Sequence, residues 1–97
     1  METTVESIRE ELRGGVFAFG FEASHCDVAL SVAPNKELNR EVAKSSRLGG
    51  QALLIFGVNA GLIPKEERED WLKYLEGKPI TDLPIVKAWI TKESTHA

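Results

Sequence analysis

The sequence predicts a small α+β domain: an N-terminal helix, a β-hairpin, then a long central helix and two shorter helices around one core. Three observations carry this. Apolar residues recur at helical spacing near the N-terminus and again from Leu38 onward. Between these stretches Val16, Phe17, Phe19 and Phe21, then Val28, Leu30 and Val32, alternate as half-buried strands do. Glycine or proline stands at most of the joins. A chain of 97 residues has material for one modest core, so a single domain over 1–97 is expected.

The first helix is read over 3–13, where Val5, Ile8 and Leu12 share a face. Glu2 and Glu6 suit its positive end and Gly14 its C-terminal cap. The hairpin follows, its strands parted by the polar stretch Glu22 to Asp27. Pro34 and Asn35 read as a stop and an N-cap. Beyond them Leu38, Val42, Leu53, Phe56 and Ala60 project onto one side at about 100° per residue, which predicts a long helix running through Gly49 and Gly50. A strand over 51–58 is the competing reading. The helix is preferred because Gly61 and Leu62 fit a left-handed cap with an apolar closing residue, and Pro64 opens the next helix. That helix carries Trp71, Leu72 and Leu75 inward and stops at Gly77. A last helix starts after Thr81 or Asp82, tolerates Pro84 in its first turn, and turns Ile85, Val86, Trp89 and Ile90 to the core. The tail from Ser94 to Ala97 is expected to fray.

Composition limits the function classes. The lone Cys26 has no internal disulfide partner and no segment reads as a secretory signal, so a reducing cytoplasm is expected. The longest apolar stretch, Ala52 to Ile63, is about half the ~20 residues a bilayer span needs, and it reads as core. His25, Cys26 and Asp27 hold the ingredients of a nucleophile and its base, but adjacent side chains of an extended loop point apart. With His96 as the second histidine there is no zinc spacing. The segment Gly57 to Gly61 lacks the residues of a phosphate loop and leads into Glu66 and Glu67. No catalytic residue, metal site or cofactor is therefore expected.

Two patterns remain. Ser46, Gly50, Gly57 and Gly61 lie within about 60° on the long helix, a small-residue stripe suited to packing against the hairpin or the Trp89 helix. A homodimer seam is its alternative use. Lys36, Arg40, Lys44 and Arg47 share another face as a basic stripe. With Glu37 and Glu41 beside these four cations, the stretch 36–47 carries a net +2 on a chain of net charge −3. So weak a patch fits an acidic protein better than a phosphate backbone. The expectation is a non-enzymatic protein-binding module, a small regulator, adaptor or inhibitor, of a kind frequent among phage and mobile-element accessory proteins. A nucleic-acid-associated regulator, dimeric to double its charge, is second. A membrane contact is not expected.

Overall fold

The computed structural model describes residues 4–30 and 36–95. It is built of helices: α1 (Val5–Leu30), α2 (Lys36–Asn59), α3 (Arg68–Leu75) and α4 (Pro84–Thr95), with 3₁₀ turns at Lys65–Glu67 and Ile80–Asp82. No strand occurs among the described residues, so the expected α+β class and its hairpin are overturned. The first helix passes through Gly14 and Gly15 and takes in the supposed strand residues as far as Leu30. Val32, Pro34 and Asn35 lie outside the described residues.

The reason lies in spacing. Val16, Gly20, Ala23 and Cys26 are buried at intervals of four, three and three, which is one face of a helix. Phe17 and Phe21 stand on other sides of α1, so apolar character is spread round it and mimics alternation. Gly15 is a contact point rather than a stop: a β-carbon there would lie 2.5 Å from Leu53 Cδ2 on α2. The start of α1 is capped reciprocally. Ser7 N–H donates to Thr4 Oγ1 and Thr4 N–H to Ser7 Oγ, each at 3.0 Å.

The long helix is present, and the competing strand over 51–58 falls inside it. Its buried side differs from the expected one by about a quarter-turn. Ala43, Ser46, Gly50, Leu54 and Gly57 are buried, Val42 and Leu53 are half-buried, and Leu38, Phe56 and Ala60 are exposed. Three members of the small-residue stripe thus serve intramolecular packing. A β-carbon on Gly50 would meet Leu75 Cδ2 at 2.4 Å, and one on Gly57 would meet Ile63 Cδ1 at 2.6 Å. The partners of the stripe are α1, α3 and Ile63; there is no hairpin to receive it. Gly61 is exposed and ends the helix instead, at φ 73°. Leu62 N–H reaches Gly57 carbonyl oxygen at 2.9 Å and Gly61 N–H reaches that of Val58 at 3.1 Å, the paired bonds of a Schellman cap. Gly77, at φ 95°, ends α3 in the same way.

α3 lies across the α1/α2 pair, with Trp71, Tyr74 and Leu75 buried. Tyr74 packs against Gly20, and its ring stacks on Phe17 at 5.5 Å. α4 begins at Pro84, buries Val86 and brings Trp89 within 5.5 Å of both Phe17 and Trp71. Val16, Leu54, Ile63, Trp71, Leu75, Leu83 and Val86 are almost wholly buried in this main core. Ala23, Cys26 and Ala43 form a second, smaller cluster. No helix of the described residues is long and apolar enough to cross a membrane. α4 extends through Thr95, and His96 and Ala97 lie outside the described residues.

Candidate functional site

The four residues of the basic stripe lie on α2 but do not share one role. Lys36, Arg40 and Lys44 are exposed, and none forms an ion pair with a described residue. Arg47 is half-buried and committed to the fold. Its Nε donates to Leu75 carbonyl oxygen at 3.2 Å, satisfying an orphan group at the end of α3, and its Nη2 pairs with Asp27 of α1. The usable stripe is therefore three cations interleaved with exposed Glu37 and Glu41, a net +1.

The placement of Lys36 is not explained by helix stability. Lys36 is the first residue of α2, where a cation opposes the helix dipole at a cost of about 0.3–1 kcal/mol at low ionic strength. The other half of α2 is the reverse in character. From Leu48 to Pro64 the sequence has no charged residue, yet Leu48, Ile55 and Phe56 are 56%, 57% and 58% exposed. Sequence reasoning missed these three as surface residues, placing Phe56 in the core. A charge-free run reads equally well as a buried helix, and only packing on both flanks distinguishes the two.

Several acidic groups are occupied structurally. Arg13 ties α1 to the 3₁₀ turn before α3: Nε and Nη2 donate to Glu67 at 3.0 and 2.8 Å, and Nη1 donates to Glu10 at 2.7 Å. The Trp71 indole N–H reaches Glu67 at 3.1 Å and the Trp89 indole N–H reaches Glu10 at 2.8 Å. Burial alone would raise the Glu10 pKa, but the Trp89 hydrogen bond leads the interactions, with Arg13 among them, that hold it below its usual value. The Arg13 pKa is raised, chiefly by the hydrogen bond to Glu67 acting against burial. Each nitrogen of the guanidinium is engaged, so the cluster is a bolt rather than an acid–base pair. Asp70 accepts the Ile85 N–H at 2.8 Å and caps α4, while Glu69 pairs with Lys73 at 3.2 Å.

Cys26 is buried in α1 rather than placed in a loop, and His25 beside it is exposed beside an apolar hollow shared with Phe17 and Phe21. About 100° of helical rotation separates them, so imidazole and thiol face apart. Among the described residues no group of three His, Cys, Asp or Glu side chains is placed to hold a metal ion. Compared with protein-family models, curated proteins and solved structures, the chain matches none.

Proposed function

We propose that the chain is a non-enzymatic protein-binding module, a small regulator, adaptor or inhibitor, and that Lys36, Arg40 and Lys44 contact an acidic surface of a larger partner. The observation that supports this is the presence of three exposed cations, unpaired among the described residues, along one side of α2, the first of them, Lys36, in the helix turn that disfavours it. Arg47, the fourth cation of the stripe, contributes through the fold by tying α2 to α1 and α3.

The test is a double reversal, Arg40→Glu with Lys44→Glu. Both side chains are exposed, so stability should change by less than about 1 kcal/mol and the circular dichroism should be unaltered. Capture of a stoichiometric protein from nuclease-treated lysate should be lost, with association slowed by added salt in the wild type. Capture that survives the reversal, or disappears on nuclease treatment, would remove this reading.

A further inference from the structure

The buried residues Val16, Gly20, Ala23 and Cys26 take one side of α1, and Ala18, Phe21, Glu22 and His25, all exposed, take the opposite side. These last four stand at i, i+3, i+4 and i+7, within about 100° of one another round the helix. Four residues so spaced make the hole that receives one side chain of a facing helix, and the small Ala18 leaves its floor open. With Phe17 they line a hollow of about 490 Å³. Its aromatic wall is held in place: Phe17 stacks on Tyr74 and lies 5.5 Å from the Trp89 ring, and the Phe21 ring lies 6.1 Å from that of Phe17. On the other side of Glu22, α1 and α2 bound a cleft of about 400 Å³ lined by Phe19, Glu22, Glu41, Val42, Ser45 and Ser46. Glu22 lines both recesses and stands between them.

We infer that this outer face of α1, together with the cleft beside it, docks a helix of a protein partner that carries a bulky apolar residue close to a Lys or Arg. The apolar side chain sits over Ala18 against Phe17 and Phe21, and the cation lies between Glu22 and Glu41. This surface is separate from the basic stripe and does not depend on it: Arg40 and Val42 stand about 160° apart round α2, so the cleft opens on another side of the helix. Charge complementarity names the cation. Apart from His25, Glu22 and Glu41 are the titratable residues lining the two recesses, both are exposed, and neither forms an ion pair with a described residue. The sequence holds no Lys or Arg between Arg13 and Lys36. A guanidinium or ammonium brought into the cleft meets two carboxylates, and its hydrocarbon stem lies along Phe19 and Val42.

Other occupants fit less well. A small-molecule pocket ordinarily covers most of its ligand, whereas Phe21 is 61% exposed and Ala18, Glu22 and His25 are exposed beside it, so the hollow covers one side of whatever enters. Glu22 and Glu41 repel a phosphate backbone or an anionic bilayer. A second copy joined by a two-fold contact of this face with itself would set carboxylates against a face that lacks the cations they need. A partner helix with an apolar residue and a cation on one side uses the hollow and the cleft together.

The experiment follows the backbone amide spectrum of the isotope-labelled full chain during titration with synthetic helical peptides of about 16 residues built on Ala and Gln. The first has a central Leu with Arg four residues before it and four after it, so that either direction of docking offers a cation on the same side. The second has Glu in place of both Arg, and the third has Ser in place of Leu. The first is expected to bind with Kd below about 1 mM and to shift the amides of Ala18 to His25 and Glu41 to Ser46, the other two binding about tenfold more weakly. Glu22→Lys with Glu41→Lys should weaken the first peptide about tenfold and reverse the preference, so that the Glu peptide binds better. Ala18→Gln, which fills the floor of the hole, should weaken the first peptide by a similar factor and leave the order of the two charged peptides unchanged. All three positions are exposed, so the melting curve of the free chain should stay in place. Absence of binding, equal binding of the Glu peptide, or shifts confined to other parts of the chain overturn the inference. Binding that responds to the charge reversal but not to Ala18→Gln or to the loss of Leu removes the apolar seat and overturns it as well. Self-association in sedimentation equilibrium that the charge reversal abolishes would assign the face to a second copy, which also overturns it.

Discussion

A β-carbon added at Gly14 meets nothing within 4 Å, whereas one added at Gly50 lies 2.4 Å from Leu75 Cδ2 and 3.1 Å from Phe19 Cβ. Both glycines are inside helices, so the methyl group has opposite effects. Gly14→Ala should raise the melting midpoint, by about 0.5–1 kcal/mol of stability from the reduced freedom of the unfolded chain. Gly50→Ala should lower it by about 1–3 kcal/mol through overpacking. At Gly61 space is open but φ is 73°, so Gly61→Val should cost about 1 kcal/mol or more. The left-handed cap at Gly61 was legible in the sequence because Leu62 and Pro64 follow it. Gly14 was misread as a helix cap, since nothing local tells a glycine that ends a helix from one that lies within it. Tyr74 gives a second test, as the chain has one tyrosine. Burial pushes its phenol up to about 12, above the ordinary value near 10. The neutral phenol therefore contributes stability in full below pH about 10, which is lost as pH rises through 12. Tyrosinate absorbance should appear only across that window, and Tyr74→Phe should flatten the fall of the melting midpoint there.

Arg13 stands at a junction of four elements, with α1 contributing the guanidinium and Glu10, the 3₁₀ turn before α3 contributing Glu67, and α3 and α4 contributing the two indoles. Arg13 and Glu67 are only 13% and 16% exposed, so the pair is more sheltered than a surface salt bridge. Arg13→Lys keeps the charge but cannot reproduce the two-pronged bond to Glu67 and the bond to Glu10 together. It should cost about 1–3 kcal/mol, and a double-mutant cycle of Arg13→Lys with Glu67→Gln should show coupling of about 0.5–3 kcal/mol. Additive effects in thermal melts would show that the pair does not act as a unit. No part of this bolt was legible in the sequence, because the Arg13–Glu67 bond joins residues 54 positions apart. The three later helices were legible from periodicity with Gly61, Gly77 and Pro84 as punctuation. α1 was not, because Phe17, Phe21 and Val28 lie off its buried face and blur the helical period. The face of α2 was misassigned for the complementary reason: bulky Leu38 and Phe56 suggested a core, but close approach of α1 and α3 selects the small residues Ala43, Ser46 and Gly50.

The whole molecule carries net charge −3, and its fold decides how much of the basic stripe faces outward. The four positions of the stripe were legible; the diversion of Arg47 to Asp27 was not, since Asp27 was read as part of a hairpin loop. That diversion bears on the choice between protein and nucleic acid. Lys36, Arg40 and Lys44 can neutralise three phosphates at most, which gives a slope of about −2.7 in log affinity against log salt, with Glu37 and Glu41 reducing the attraction further. Non-specific DNA binders that rely on larger basic surfaces reach dissociation constants of only about 10⁻⁴–10⁻⁶ M at physiological salt. The chain at micromolar concentration should therefore give no gel shift with random duplex at about 150 mM salt. Asp27→Asn supplies the control. It releases Arg47 from its ion pair and adds one positive charge to the surface, so a protein that used the stripe on phosphates would bind more tightly, by about one further counterion in the salt slope. The expected result is no shift with either protein. A salt-dependent shift by the wild type, strengthened by Asp27→Asn and lost with Arg40→Glu and Lys44→Glu, would transfer the surface from a protein partner to nucleic acid.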